Sequence, residues 1–203
     1  MKRGSIRQSL NRQSPIIRAL FFDVDGVLTD GRIYLAGDGQ EFKVFDTKDG
    51  HGTRKAIASG LKVAWISGRT SPATAARAKD LGVHACLQGV RDKLAKYEML
   101  RRRWRLEPEE TAAIGDDEPD VPMMEAAGLS ACPADAARQA RKAAKLVLKN
   151  SGGRGAAREF IERILRLNGT PSPARSIEEG WPARRNAPRR PSGRRGTGIR
   201  NSR

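Results

Sequence analysis

The sequence predicts one α/β domain, a parallel sheet wrapped by helices. Three observations carry this expectation: short apolar runs alternate with amphipathic helical patterns, each run ends in polar residues, and Gly- and Asp-rich turns mark the joins. With 203 residues, 38% of them hydrophobic, the chain can bury one core but not two sizeable ones. No stretch approaches the ~20 apolar residues of a membrane helix, and no apolar segment follows the basic N-terminus as a secretory signal would require. A cytoplasmic protein without membrane partners is expected. Cys86 and Cys132 form no CxxC pair, which argues against a disulfide scaffold or a zinc ribbon and suits two buried thiols.

The first strand is the apolar run from Ile16 to Phe22, broken only by Arg18 and stopped by Asp23-Val24-Asp25-Gly26. A β-hairpin follows at 31–45, with arms Arg32-Ile33-Tyr34-Leu35 and Glu41-Phe42-Lys43-Val44-Phe45 around the turn-rich Ala36 to Gln40. Further strands are predicted at Lys62 to Ile66, Val83 to Leu87, Thr111 to Ile114, Leu129 to Cys132 and Leu146 to Leu148. Helices are predicted near Gly52 to Ser59, Pro72 to Leu81, Lys93 to Trp104, Pro119 to Ala127, Asp135 to Arg141 and Ala156 to Leu167. In such a sheet the ligand crevice lies beyond the carboxyl ends of the strands, so the polar groups after each strand should converge.

The formal net charge of +16 suggests a nucleic-acid partner until it is divided along the chain. Residues 1–18 hold five basic residues and no acid, residues 168–203 hold nine arginines against Glu178 and Glu179, and only +4 remains between them. The expected organisation is a disordered basic extension at 1–15, a folded domain at 16–167 and a disordered Arg/Pro/Gly-rich tail at 168–203. Such a tail could bind RNA or acidic partners, but no aromatic stacking platform accompanies its charge, and a solubilising tail is the preferred reading.

Four clusters should meet at the crevice: Asp23 with Asp25, Ser67-Gly68-Arg69, Lys93, and Gly115-Asp116-Asp117-Glu118-Pro119-Asp120. Alone, each reads as a loop, a helix cap or a solvated lysine; in this order, each after a strand or at a helix start, they make a site. The set resembles the haloacid dehalogenase superfamily of aspartate-nucleophile phosphotransferases, which implies a Rossmann-like fold and a phosphatase. A carboxylate is ionised at neutral pH and needs no base to attack. In that resemblance Asp23 is the nucleophile, and Asp25 protonates the leaving group and later activates water. Mg²⁺ sits among Asp23, Asp116 and the Asp25 backbone carbonyl, while Lys93 adds a second cation and Ser67 donates a hydrogen bond to the phosphoryl oxygens.

The chain has room for the hairpin but for no separate cap domain. Phe45-Asp46-Thr47-Lys48-Asp49-Gly50-His51-Gly52, Gln88 to Leu94 and Gly152-Gly153-Arg154-Gly155 narrow the resemblance to the 3-deoxy-D-manno-octulosonate 8-phosphate phosphatases. Membership implies release of phosphate from an eight-carbon acidic sugar of lipopolysaccharide synthesis. It also implies a homotetramer in which the hairpin covers a neighbour's site. The implied substrate residues are Asp25, Asp46, Thr47, Lys48, Asp49, Gly50, Arg54, Arg69, Arg77 and Lys93; arginine's planar fork suits carboxylate and phosphate. Asp46 departs from the family, where Asn is usual. A nonulosonate 9-phosphate phosphatase, or a weakly active scaffold binding nucleic acid through its tails, are the alternatives.

Overall fold

The structure, a computed structural model, describes residues 16–169. The chain runs through β1 (Ala19–Phe22), a hairpin of β2 (Tyr34–Leu35) and β3 (Glu41–Phe42), α1 (Thr47–Ala58), β4 (Lys62–Ile66), α2 (Pro72–Leu81), β5 (Ala85–Leu87) and α3 (Lys93–Arg103). It continues through β6 (Thr111–Ile114), α4 (Val121–Ala126), β7 (Leu129–Cys132), α5 (Arg138–Ala143), β8 (Leu146–Val147) and α6 (Ala156–Leu167). Six strands pair in parallel in the order β5-β4-β1-β6-β7-β8, and β2 and β3 form the separate antiparallel hairpin.

From β1 the chain steps outward through β4 to β5, then returns to β6 on the other side of β1. That reversal creates a switch point beside β1, where open α/β sheets form their crevice. β1 pairs along its length with both neighbours, Phe22 standing opposite Trp65 and Ile114. Both its faces are covered, which is why it reads as an unbroken apolar run rather than an alternation. Leu20 and Phe22 pack with residues of α1, α2 and α6, whereas Ala19 and Phe21 pack with those of α3, α4 and α5. Phe21 meets Tyr97 edge-on with ring centres 4.7 Å apart. Helix α6 buries Ala156, Ala157, Phe160, Ile161, Ile164 and Leu165, the stripe a 3.6-residue period generates.

The α/β class, the parallel sheet and the small hairpin are as the sequence predicts; several boundaries differ. Helix α1 begins at Thr47, five residues before its predicted start, because Asp46 caps it and Gly50 and Gly52 sit inside it. A Cβ on Gly52 would lie 3.2 Å from the Arg158 backbone, so close packing on α6 outweighs the weak helix propensity of glycine. The predicted helix from Pro119 is a 3₁₀ turn, Glu118–Asp120, followed by α4. Helix α5 is displaced to Arg138–Ala143, and the arms of the hairpin, β1, β5 and β8 are shorter than predicted. Cys132 is buried, but Cys86 is only half-buried.

The two ends of the described segment are clasped. Ile17 N–H donates to Asn168 Oδ1 at 3.0 Å, and Asn168 Nδ2 donates back to the Ile17 carbonyl at 2.7 Å. The extensions expected at 1–15 and beyond Gly169 lie outside the described residues. No helix among the described residues is long and apolar enough to cross a membrane.

Candidate active site

The sheet itself places the acidic side chains. Asp23 N–H donates to the Ile114 carbonyl at 3.0 Å and Ser67 N–H to the Leu87 carbonyl at 2.9 Å, continuing the ladder one residue past β1 and β4. Lys93 opens α3, whose start is fixed by Asp92, its side chain accepting Ala95 N–H at 2.9 Å. The Lys93 ammonium then lies 2.5 Å from both Asp23 Oδ1 and Asp120 Oδ1. Carboxylate oxygens of Asp23, Asp116 and Asp120 gather within 4.8 Å of one another. Gly26 admits this approach: its φ is +98°, and a Cβ there would lie 2.1 Å from Asp116 Oδ2.

Three carboxylates around one ammonium leave an excess of negative charge. Burial, reinforced by Asp120, pushes the Asp23 carboxyl well above its ordinary value against the pull of Lys93. Burial and Asp120 likewise raise Asp116 to about 7. Burial disfavours charge on Lys93, but Asp23 and Asp120 outweigh it and hold the ammonium charged. An all-oxygen donor set carrying surplus negative charge fits a hard divalent cation. The Asp25 side chain is not part of this group: it takes an ion pair from Lys43 and lies 3.3 Å from Ser67 Oγ.

A sequence model of the haloacid dehalogenase-like hydrolases matches residues 87–160. The chain is 41% identical over 162 residues, 80% of its own length and 87% of the relative's, to the 3-deoxy-D-manno-octulosonate 8-phosphate phosphatase of Yersinia pestis. It belongs to that phosphatase family. Among solved structures it resembles a probable YrbI family phosphatase from Pseudomonas syringae, with 43% identity, TM-score 0.78, and 82% and 95% of the two chains covered. It also resembles the octulosonate 8-phosphate phosphatase of Moraxella catarrhalis in complex with magnesium, phosphate and KDO, with 35% identity, TM-score 0.75, and 77% and 90% covered.

In this member of the octulosonate 8-phosphate phosphatase family, Asp23, Asp25, Ser67, Lys93 and Asp116 converge on the crevice. Asp120 joins them: besides binding Lys93, it accepts Asp116 N–H at 3.0 Å and Asp117 N–H at 3.3 Å, and so orients the loop that carries Asp116. In the sequence Asp120 belongs to the fourth cluster with no role of its own, and its spacing of four from Asp116 is the signal that links the two. Arg69 reaches the rim and pairs with Glu41 of β3.

The remaining candidates form a second group around α1. Asp46 caps α1, accepting Lys48 N–H at 2.7 Å, and Thr47 and Lys48 are exposed in its first turn. Arg54 and Arg77 meet on Asp80, at 3.2 and 2.8 Å, and Arg77 packs against Gly50. Asp49 turns inward and is 2% exposed, its carboxylate accepting Arg158 N–H at 2.7 Å and Gly155 N–H at 3.2 Å. Its side chain is committed to the start of α6 and to the glycine loop. Burial raises it to about 6 against those two hydrogen bonds.

Proposed function

We propose that this protein hydrolyses 3-deoxy-D-manno-octulosonate 8-phosphate to the free sugar acid and phosphate, with Mg²⁺, as a step in lipopolysaccharide precursor synthesis. The observation that carries the proposal is the Asp23–Lys93–Asp120–Asp116 constellation at the switch point of the sheet, in a chain of this family. Asp23, Asp116 and the Asp25 carbonyl would hold the metal, which supplies charge neutralisation for the incoming phosphoryl group.

An Asp23 oxygen attacks phosphorus, the bond from phosphorus to the sugar oxygen breaks, and Asp25 gives that oxygen a proton. The product is an aspartyl-phosphate on Asp23. Water then attacks phosphorus, Asp25 takes its proton, and the bond to Asp23 breaks to release phosphate. Lys93 offsets the charge shared by the nucleophile and the phosphoryl oxygens throughout. Asp120 keeps Lys93 in place by giving its ammonium a second partner.

We assign recognition of the sugar acid to Asp25, Arg69 and Lys93 of the crevice and to Thr47, Lys48, Arg54 and Arg77 of the second group, with Asp46, Asp49 and Gly50 shaping the start of α1, in a homotetramer whose hairpins cover neighbouring sites. What supports the assembly is the hairpin, which exposes Ile33, Leu35, Phe42 and Val44 by 52–64% each, a concentration of apolar surface suited to a protein contact. Two free thiols suit a reducing cytoplasm.

The test is phosphate release from octulosonate 8-phosphate, a nonulosonate 9-phosphate and a hexose phosphate, each with Mg²⁺ and with chelator. Mg²⁺-dependent preference for the first supports the proposal. Preference for the nonulosonate keeps the chemistry and changes the substrate, and no release from any ester rejects it. Light scattering of the wild type beside Phe42→Ser tests the assembly: a tetramer that the substitution dissociates is expected, and a wild-type monomer rejects it.

A further inference from the structure

The base of the hairpin lies against this chain's own crevice. The Lys43 side chain is only 4% exposed, and its ammonium pairs with Asp25. Glu41, two residues earlier, uses Oε2 to hold Arg69, while its Oε1 stands 3.8 Å from the Lys43 ammonium. That Oε1 is shielded from solvent and has no hydrogen-bond partner. A shielded acceptor whose one partner is an ion pair too long for a hydrogen bond is incompletely satisfied, so a group that donates to it on binding gains affinity and selectivity.

Asp25, Lys43, Glu41 and Arg69 thus form one arc of alternating charge that starts at the proton donor for the leaving oxygen and ends at the rim. We propose that Glu41 and Lys43 are the specificity-determining residues of a leaving-group subsite that takes a polyhydroxylated chain. Glu41 Oε1 accepts a hydroxyl of the sugar next to the phosphoester, Lys43 donates to a neighbouring sugar oxygen while holding Asp25, and Arg69 remains for an anionic group farther along. The charge balance of the arc lets two cations sit beside a reaction centre without trapping the product phosphate: Asp25 and Glu41 together offset Lys43 and Arg69, and only a ligand with both donors and acceptors matches the alternation. The inference rests on the phosphatase reading and extends it to the part of the substrate that leaves.

Kinetics of the full chain with Mg²⁺ on octulosonate 8-phosphate and on phenyl phosphate, which has no hydroxyls to recognise, decide the matter. Glu41→Gln and Lys43→Met should each lower kcat/KM on the sugar ester ~30-fold and on the phenyl ester ~3-fold, a selectivity change of about tenfold that loss of one polar partner produces. Lys43→Arg should restore part of the selectivity. Thermal melting checks folding, and the near-isosteric Glu41→Gln carries the test if Lys43→Met does not fold. Equal losses on both esters would overturn the subsite, as would a lower KM for the sugar ester in Glu41→Gln, which would make Glu41 a competitor of the substrate for Arg69. Wild-type inactivity on both esters would instead remove the phosphatase reading, and this subsite with it.

Discussion

At the scale of single residues, charge rather than shape decides what this site does. Asp23→Asn preserves the outline of the side chain but removes the charge to which the proposed mechanism assigns the attack, so turnover should fall to background while the circular dichroism spectrum is unchanged; residual turnover near the wild-type rate would falsify the mechanism. Asp46→Asn should do almost nothing. Asp and Asn cap helices about equally, and the Asp46 side chain is spent on Lys48 N–H. The expected change is below ~0.5 kcal/mol in urea denaturation, with the same ranking of substrates. Asp23, Lys93 and Asp116 are legible in the sequence because a strand end or a helix start fixes each of them. Asp120 acquires its role only when the Glu118–Asp120 turn folds it back under the Asp116 amide. Lys43 and Glu41 were invisible for a plainer reason: their partners lie 18 and 28 residues away, across a fold-back that no periodicity announces.

At the scale of elements, the glycine loop before α6 props the loop that follows β1 and carries Asp25 and Gly26. Gly153 N–H donates to the Val27 carbonyl at 3.0 Å, and a Cβ on Gly152 would lie 1.8 Å from the Gly26 carbonyl oxygen. Because backbone meets backbone, no rotamer can relieve that overlap. Gly152→Ala should cost ~2–4 kcal/mol in chemical denaturation and lower kcat as well, through displacement of Asp25 and Gly26. A variant with wild-type stability and rate would show that the loop gives way freely. The sequence singled out this loop without finding its purpose, since two glycines read as an ordinary turn until the opposing backbone is seen. The strands at Lys62–Ile66, Thr111–Ile114 and Leu129–Cys132 stand as predicted, because burial on both faces leaves a continuous apolar signature. The start of α1 was hidden by Gly50 and Gly52, whose close packing no local propensity records.

At the scale of the whole molecule, a buried carboxylate outside the crevice couples stability to pH. Asp49 joins α1 to α6 and binds its proton more tightly in the folded chain, at about 6, than at its ordinary 3.8. A raised carboxyl pKa means that the folded state takes up the proton first as pH falls, so this group adds stability as pH drops from about 7 toward 4. The gain is at most ~3 kcal/mol, and the difference in unfolding free energy between wild type and Asp49→Asn should grow by that order over this range. A pH-independent difference would mean that Asp49 is relieved in some other way. The tying of ends by Asn168 and Ile17 has a different kind of consequence. The segment from 17 to 168 is nearly a closed ring, joined at the amino end of β1 and therefore at the opposite end of the sheet from the crevice. Its order of elements is then a convention of where translation begins: a short linker across the clasp, with new termini cut at Gly37–Gly39 in the hairpin turn, describes a circular permutant with the same set of crevice side chains.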